Sequence, residues 1–222
     1  MRAFIKKVSN FLIVPLVRRY VKRKRSSTYQ NIRVVVQPGV FHPGLFHSTR
    51  FLLKYLARQH VKGATLLELG CGTGLIAIAM AQRGAMVTGS DINHAAVANA
   101  QLNAQAHQVA VSFFVSDLFQ NIPAQEFDWI VINPPYYRRD PLSPEEYAWN
   151  AGKDFQYFKK LFTSVGNYIH AHSQVLMVIT LNTDLEAIFS IASENGFALE
   201  RVAERKSLFD KKDFLFKIRQ IR

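Results

Sequence analysis

The sequence predicts an α/β fold in which short apolar strands alternate with helices around a mostly parallel sheet. Three runs carry this prediction, at residues 64–69, 86–91 and 129–132. Near-continuous apolar runs of this length are typical of strands that helices cover on both faces. The first run leads through a glycine-rich loop into a helix, the second ends in an acid, and the third ends in Asn-Pro-Pro-Tyr.

Length and composition indicate one globular domain in a reducing compartment. The 222 residues, 49% of them hydrophobic, suffice to bury a full core. The lone cysteine, Cys71, rules out a disulfide within the chain and a cysteine-based zinc site. The seven histidines show no metal-ligand spacing, so no metal is expected. The apolar stretch at residues 8–17 is too short to span a bilayer, and we expect a cytoplasmic protein.

Positive charge is concentrated in the first third of the chain. Residues 1–67 hold 14 of the 28 Lys and Arg residues and none of the 16 Asp and Glu residues, so the remainder has a net charge of −2. This asymmetry favours contact with a polyanion, such as nucleic acid, the ribosome or a membrane surface. We predict that residues 1–37 form a basic N-terminal extension and that residues 38–222 form the functional domain.

Residues 1–25 are predicted to form a short helix that Pro15 ends or kinks. Three roles remain open for this segment: a helix packed on the domain with a solvated basic end, an arm that binds nucleic acid, and a contact with a membrane surface. A signal peptide is not expected, although an organellar presequence is an alternative in a eukaryotic source. The polar residues 26–31 are predicted to form a linker, followed by a short strand at 32–37.

The remaining elements follow from periodicity and from turn residues. Ser48 or Thr49 is predicted to cap a helix at 51–60. A loop or short helix at 137–149 is expected over the site. The other predicted helices span 75–83, 93–106, 153–170 and 184–195, and the other predicted strands span 109–115, 174–181, 197–204 and 213–221. Because no helix separates the last two strands, they are predicted to be antiparallel.

The glycine-rich loop and two acids predict a nucleoside-binding edge. The loop Gly70-Cys71-Gly72-Thr73-Gly74 is tighter than a dinucleotide fingerprint, which favours a ligand without a pyrophosphate. Asp91 ends the next strand and can accept both hydroxyls of a ribose, although it could instead cap the helix that follows. Asp117 follows the third strand and can receive an adenine amino group, although aspartate is also a common turn residue.

The Asn133-Pro134-Pro135-Tyr136 turn predicts a clamp for a planar NH2 group. The prolines lock two φ angles and push Asn133 towards an extended conformation. The Asn133 side chain and the neighbouring carbonyls would then be fixed acceptors at the carboxyl edge of the sheet, beside the flat ring of Tyr136. The alternative is ordinary turn chemistry after a strand.

Taken in order, these motifs resemble those of class I S-adenosylmethionine-dependent methyltransferases. The similarity runs from Glu68 through the glycine loop to Asp91-Ile92-Asn93, Asp117-Leu118 and the Asn-Pro-Pro-Tyr turn, and covers roughly residues 38–222. The subgroup resembled, the methyltransferase small domain, includes release-factor glutamine methyltransferases and adenine-N6 and guanine-N2 methyltransferases. The resemblance implies a Rossmann-like, seven-stranded, mostly parallel sheet with helices on both faces and an antiparallel last strand.

The resemblance also implies roles for individual residues. Catalysis would fall to Asn133, Pro134 and Tyr136, whose acceptors orient the nitrogen and whose ring stacks on the planar group. The substrate would meet Asn133, Pro135, Tyr136 and, more weakly implied, Thr49, because Ser48 stands where an acid is usual. Residues that would contact S-adenosyl-L-methionine are Glu68, Gly70, Gly72, Gly74, Asp91, Ile92, Asp117, Leu118 and Asn133.

The same clamp fits three substrates: a glutamine amide, adenine N6 and guanine N2. The acid-free first third favours RNA or DNA, or a protein reached on the ribosome, whereas the entry segment at 40–53 resembles that of glutamine methyltransferases. We rank nucleic acid slightly ahead of a translation factor or ribosomal protein. A base within folded nucleic acid would first have to be flipped out. The alternative from another class is an inactive methyltransferase fold that acts as a nucleic-acid-binding adaptor.

Overall fold

The computed structural model describes residues 23–44, 47–180, 183–206 and 212–221. The predicted helix at residues 1–25 lies outside these ranges up to residue 22; residues 23 and 24 are not helical, and Arg25 begins a strand. The strands are β1 (Arg25–Tyr29), β2 (Ile32–Val36), β3 (Thr65–Leu69), β4 (Met86–Asp91), β5 (Val111–Val115), β6 (Trp129–Ile132), β7 (Gln174–Thr180), β8 (Phe197–Lys206) and β9 (Lys212–Gln220). The helices are α1 (His47–Leu56), α2 (Leu75–Ala81), α3 (His94–Ala106), α4 (Gln156–Ser164) and α5 (Leu185–Glu194), with 3-10 turns at Pro144–Ala148 and Val165–Tyr168.

Seven strands form the predicted sheet, in the order β5-β4-β3-β6-β7-β9-β8. The first five strands of this order pair in parallel, and β9 pairs antiparallel with both β7 and β8. The predicted Rossmann-like topology is therefore confirmed, including the antiparallel last strand. The predicted helix at 153–170 is shorter, because it gives way to a 3-10 turn after Ser164.

Helices cover both faces of the sheet because side chains alternate along each strand. One face packs on α1, α2 and the β1–β2 hairpin, and its core includes Leu52, Leu56, Ile78, Leu66 and Val131. The opposite face packs on α4 and α5, and its core includes Phe158, Phe162, Ile188, Leu67 and Ile130. None of the helices in the described ranges combines the length and apolar character needed to cross a bilayer.

The predicted linker at 26–31 is wrong, because Arg25–Tyr29 forms strand β1 and pairs antiparallel with β2. Buried amides of α3 hold this hairpin in place. Asn103 accepts from the Val35 N–H at 2.9 Å and donates to the Val35 carbonyl at 2.8 Å, while Asn99 accepts from the Gln37 N–H at 2.9 Å. Asn103 also donates to the Thr73 carbonyl at 2.9 Å, so one side chain ties the hairpin to the glycine-rich loop.

The predicted cap of α1 is also wrong. The helix begins at His47, so Ser48 and Thr49 lie within its first turn, and both are buried. The alternative role of Asp91 as a cap is excluded as well, since Asn93 caps α3 by accepting from the Ala95 N–H at 2.9 Å. Both Thr49 and Asp91 are therefore available for other contacts.

Gly74 offers a test of how closely α3 packs against the glycine-rich loop. Its φ is +75°, and a Cβ placed there would meet the Ala100 Cβ at 3.0 Å. We expect Gly74→Ala to lower the free energy of unfolding by about 2–4 kcal/mol, because backbone strain and overpacking add. Gly63→Ala is the matched control: φ is +76° but nothing lies within 4 Å, so only strain of about 1–2 kcal/mol applies. Equal losses in urea unfolding would contradict tight packing at Gly74.

Candidate active site

A cavity lies at the carboxyl edge of the sheet, where the strand order reverses. Strand β3 has β4 on one side and β6 on the other, both parallel to it. Ligands of open α/β sheets bind in the crevice at such a switch point. The cavity has a volume of about 330 Å³ and is lined by the loops after β3, β4, β5 and β6 and by the segment between β6 and the middle of α4.

The glycine-rich loop forms the floor of the cavity after β3. Gly70 and Gly72 line the cavity and have φ angles of +74° and +52°. Nothing lies within 4 Å of a Cβ at Gly70, so glycine is required there by backbone conformation rather than by a close contact. The N–H groups of Gly70 and Cys71 both donate to the Ser90 carbonyl at 2.8 Å, which ties the loop to β4.

Asp91 is the acid at the end of β4. Its two carboxylate oxygens accept the N–H groups of Gly72 and Asn93, each at 2.9 Å. Burial raises the pKa of Asp91, and the two N–H donors oppose this rise. Each oxygen retains acceptor capacity towards the cavity, as binding the hydroxyls of a ribose requires.

Glu68 is the penultimate residue of β3. It is buried and accepts the Ala77 N–H of α2 at 2.8 Å. Burial raises the pKa of Glu68 well above its usual range, and the neighbouring Asp91 carboxylate adds to the rise. Glu68 is not among the residues that line the cavity. It therefore joins β3 to the start of α2 beneath the loop.

Asp117 follows β5 and forms an ion pair with Lys160 of α4 at 2.5 Å. The side chains of Asp117 and Lys160 are 32% and 60% exposed, so the pair contributes little to stability. Both residues line the cavity, together with Tyr157, one turn before Lys160 in α4. Burial raises the pKa of Tyr157, and the Asp91 and Asp117 carboxylates add to this rise. The Tyr157 phenol is therefore neutral at physiological pH.

Leu118 adopts a left-handed conformation with φ of +54°, which is uncommon for a residue with a bulky side chain. Ser116 holds this turn, since its hydroxyl donates to the Leu118 carbonyl at 2.8 Å and accepts the Asn121 N–H at 2.9 Å. The turn presents Asp117 and Leu118 together at the cavity wall. A strained turn held in this way is typical of a binding site.

The side chain of Asn133 has one acceptor atom without a hydrogen-bond partner among the described residues. Its Nδ2 donates to the Thr49 hydroxyl of α1 at 3.3 Å. Its Oδ1 is buried and lacks a hydrogen-bond partner among the residues that the structure describes. Buried polar atoms are nearly always hydrogen-bonded, and each exception calls for an explanation. Because Asn133 lines the cavity, a ligand there that donates an N–H or O–H group would satisfy this oxygen.

Tyr136 lies beside Asn133 and is 9% exposed. Its N–H donates to the Trp149 carbonyl at 3.1 Å, and its ring packs edge-on against Tyr137. Burial raises the pKa of Tyr136 to about 12, so its phenol is neutral at physiological pH. The backbone of the segment predicted to cover the site folds back here: Tyr137 donates to Trp149 at 2.8 Å, and Ala151 donates to Tyr137 at 2.9 Å.

The structure brings most of the predicted site residues together. The cavity lining includes Gly70, Gly72, Asp91, Ile92, Asp117, Leu118, Asn133, Pro134, Pro135 and Tyr136. Glu68, Gly74 and Thr49 are not part of the lining. Glu68 bonds to α2, and Thr49 bonds to the lining residue Asn133. Sequence reasoning missed Gln156 and Lys160, which also line the cavity. Their signal was two polar residues four apart on a helix whose other face is apolar. No group of three or more His, Cys, Asp or Glu residues is placed to hold a metal ion within the described ranges.

Comparison with known proteins identifies the family. Residues 31–197 match the model of the methyltransferase small domain. A Methanocaldococcus jannaschii protein whose proposed activity is protein N5-glutamine methylation is 34% identical over 190 residues, which cover 82% of this chain and 92% of that protein. The Geobacter sulfurreducens release factor glutamine methyltransferase is 30% identical, over 73% of this chain and 61% of its own length.

A solved structure shares the fold. The T. thermophilus 16S rRNA N2 methyltransferase, in complex with AdoMet and guanosine, superposes with a TM-score of 0.63 at 21% identity, over 90% of this chain and 50% of that one. The site residues fit the same cofactor. Gly70 and Gly72 leave this part of the cavity free of side chains, and Asp91 is among the residues that line it. The chain belongs to the methyltransferase small domain family and is an S-adenosylmethionine-dependent N-methyltransferase.

Proposed function

We propose that this enzyme methylates the side-chain amide nitrogen of a glutamine in a protein of the translation apparatus. The observation that supports a substrate with a planar NH2 group is the Asn133 Oδ1, which is buried and has no hydrogen-bond partner among the described residues. The preference for glutamine draws on the relative from M. jannaschii, whose proposed activity is protein N5-glutamine methylation and which this chain matches over 92% of its length. The cytoplasm is the compartment that we propose for this activity.

The chemistry requires the nitrogen lone pair to be freed from conjugation. An amide nitrogen is a poor nucleophile because its lone pair is delocalised into the carbonyl. We propose that its two N–H groups donate to the Asn133 Oδ1 and the Pro134 carbonyl. These two bonds would fix the amide plane, so that the lone pair, which is perpendicular to this plane, points at the methyl group to be transferred. When bound, S-adenosylmethionine supplies an electrophilic methyl group. A C–N bond forms as the S–C bond breaks, and the nitrogen then loses one proton to solvent.

Fixed acceptors favour this reaction because they need no reorganisation when positive charge develops on the nitrogen. Thr49 supports the arrangement, since its hydroxyl accepts from the Asn133 Nδ2 and so keeps the Oδ1 turned towards the cavity. The neutral phenol of Tyr136 offers a flat surface for the amide but no base. The other residues near the carboxyl edge, Asp91 and Asp117 among them, are assigned to the adenosine part of the cofactor.

The exocyclic amine of adenine or guanine in RNA is the second candidate. The clamp would hold this group in the same way, and the excess of positive charge in residues 1–67 favours a polyanionic substrate. The T. thermophilus rRNA methyltransferase shares the fold. These observations do not favour a base over glutamine, so the order given from the sequence alone is reversed here.

A labelling experiment separates the two substrates. Extract from a strain lacking the protein would be incubated with the enzyme and S-adenosylmethionine carrying a radiolabelled methyl group. We expect label that protease removes, that nuclease leaves, and that acid hydrolysis releases as methylamine, because hydrolysis of an N-methyl amide frees the methylated nitrogen. Label that is lost to nuclease and recovered as a methylated base would overturn glutamine in favour of the second candidate. The Asn133→Ala variant is the control for label from other enzymes.

A further inference from the structure

The exposed side of α1 carries a row of positive charge that the methyl-transfer site does not use. Arg50 and Lys54 lie one turn apart on this helix, and Arg58 lies one turn beyond Lys54, just after the helix ends. All three are exposed, whereas Leu52, Leu53 and Leu56 bury the other side of the helix. Residues four apart on a helix lie about 6 Å apart along its axis. We call Arg50, Lys54 and Arg58 the basic ridge.

The positive charge of the ridge is not neutralised within the described residues. The ion pairs found there involve Arg138, Lys160, His170, Arg201 and Arg219 and none of the ridge residues. Four further exposed cations, Arg23, Lys24, Arg33 and Lys62, occur among the described residues of the same part of the chain, which contains no Asp or Glu before Glu68. An ordinary solvated surface mixes both signs, so a row of one sign without acids indicates an anionic partner.

The ridge is joined to the catalytic site at one end. The Arg50 guanidinium donates to the Thr28 carbonyl of β1 at 3.0 Å, which fixes its position between α1 and the hairpin. Its neighbour in the chain, Thr49, accepts from the Asn133 side chain. The N-terminal end of the ridge therefore begins in the turn of α1 that contacts Asn133.

The surroundings of the ridge favour nucleic acid over a lipid surface. An amphipathic helix that binds membranes inserts an exposed apolar face, but the apolar face of α1 is buried in the core. The large apolar side chains that are exposed among the described residues, such as Met86, Leu102 and Leu142, lie outside α1 and the hairpin. Arginine and lysine at one-turn spacing, without large exposed apolar side chains on the same helix, instead suit the phosphates of a nucleic acid backbone.

We propose that the basic ridge binds the phosphate backbone of nucleic acid and so docks the enzyme on a nucleic-acid-containing assembly. This contact is separate from the methyl acceptor, which can be protein or base. It also differs from any contact made by residues 1–25, of which residues 1–22 lie outside the described ranges. Because phosphate binding releases counterions, the ridge predicts a salt dependence that each of its charges steepens.

The test measures binding of the full-length protein to a fluorescein-labelled RNA hairpin and to a DNA duplex across a series of KCl concentrations. Arg50→Gln, Lys54→Gln and Arg58→Gln combined should flatten the plot of log Kd against log salt by about 2–3, at roughly 0.7–0.9 per charge. Affinity near 0.1 M KCl should fall at least about tenfold. A second variant, Lys54→Gln with Arg58→Gln, spares the bond from Arg50 to β1 and should flatten the slope by about 1.5.

The matched control removes the same net charge elsewhere. Arg139→Gln, Lys153→Gln and Lys159→Gln change three exposed residues outside α1 that, like the ridge residues, take part in none of the ion pairs of the described residues. This variant should keep the wild-type slope. If the two triple variants had equal effects, net charge rather than the ridge would account for the binding, and the proposal would be overturned. Unchanged binding of either ridge variant would also overturn it. Tighter binding to anionic phospholipid vesicles than to RNA or DNA would also overturn it. Asn133→Ala should bind RNA normally, so failure of the proposed function would leave this result intact.

Discussion

Replacing Asn133 with alanine is expected to lower kcat at least about a hundredfold, the range seen when one preorganised polar group that stabilises a transition state is removed. The physical reason is that the unpaired Oδ1 of Asn133 is the acceptor proposed to orient the substrate nitrogen. Affinity for S-adenosylhomocysteine should change little, because Asp91 and the glycine-rich loop remain. Single-turnover kinetics, with radiolabelled S-adenosylmethionine and the acceptor identified by the labelling experiment, would measure the effect on turnover. Calorimetric titration of S-adenosylhomocysteine would measure the effect on cofactor affinity.

A second variant tests whether the orientation of the Asn133 side chain matters, and not only its presence in the site. Thr49→Val removes the hydroxyl that accepts from the Asn133 Nδ2 and keeps a branched side chain of similar size. We expect kcat to fall about five- to tenfold, in line with one hydrogen bond of about 1 kcal/mol, with KM for the cofactor unchanged. If Asn133→Ala instead loses cofactor affinity and retains turnover at saturation, the clamp is the wrong assignment and Asn133 belongs to the cofactor site.

The ends of the parallel strands could be predicted from the sequence because their geometry is nearly obligatory. Gly70, Asp91, Asp117 and Asn133 each follow an apolar run, and parallel strands place such residues at one edge of the sheet. The cavity lining contains all four. A family resemblance then added the cofactor, which periodicity alone does not specify.

Contacts between distant elements could not be predicted in the same way. Thr49 meets Asn133 across 84 positions, and Lys160 meets Asp117 across 43, and no local pattern records either pair. The β1 strand was missed for another reason. Its sequence, Arg-Ser-Ser-Thr-Tyr, has little apolar character, and Ser27 is its one buried residue among the described ranges. Its partner strand β2 is held by buried Ile32 and Val34 and by Asn99 and Asn103 of α3, so the apolar contacts that secure the hairpin come from β2 and leave little signal in β1.

Asp91→Ala is expected to weaken binding of S-adenosylhomocysteine by about 10- to 150-fold, the equivalent of roughly 1.5–3 kcal/mol for hydrogen bonds to a charged group. The carboxylate also accepts the N–H groups of Gly72 and Asn93, so the variant could lose affinity through the loop alone. An analogue of S-adenosylhomocysteine with 2′-deoxyribose separates these causes. The wild-type enzyme should bind the analogue less tightly than S-adenosylhomocysteine, and Asp91→Ala should bind both with similar affinity. Unchanged discrimination in the variant would make Asp91 a support for the loop.

The pH dependence of cofactor binding should follow from the same carboxylate. Because burial raises the pKa of Asp91, the folded protein without cofactor takes up this proton at a higher pH than an ordinary aspartate would. Hydroxyl groups that donate to Asp91 favour its ionised form. Affinity for S-adenosylhomocysteine should therefore be greatest above the raised pKa and should fall as the pH drops through it, with about one proton released on binding below it. In Asp91→Ala this pH dependence should disappear. If the wild-type affinity were flat down to the usual pKa of aspartate, near 3.9, the ribose hydroxyls would have to be bound by groups other than this carboxylate.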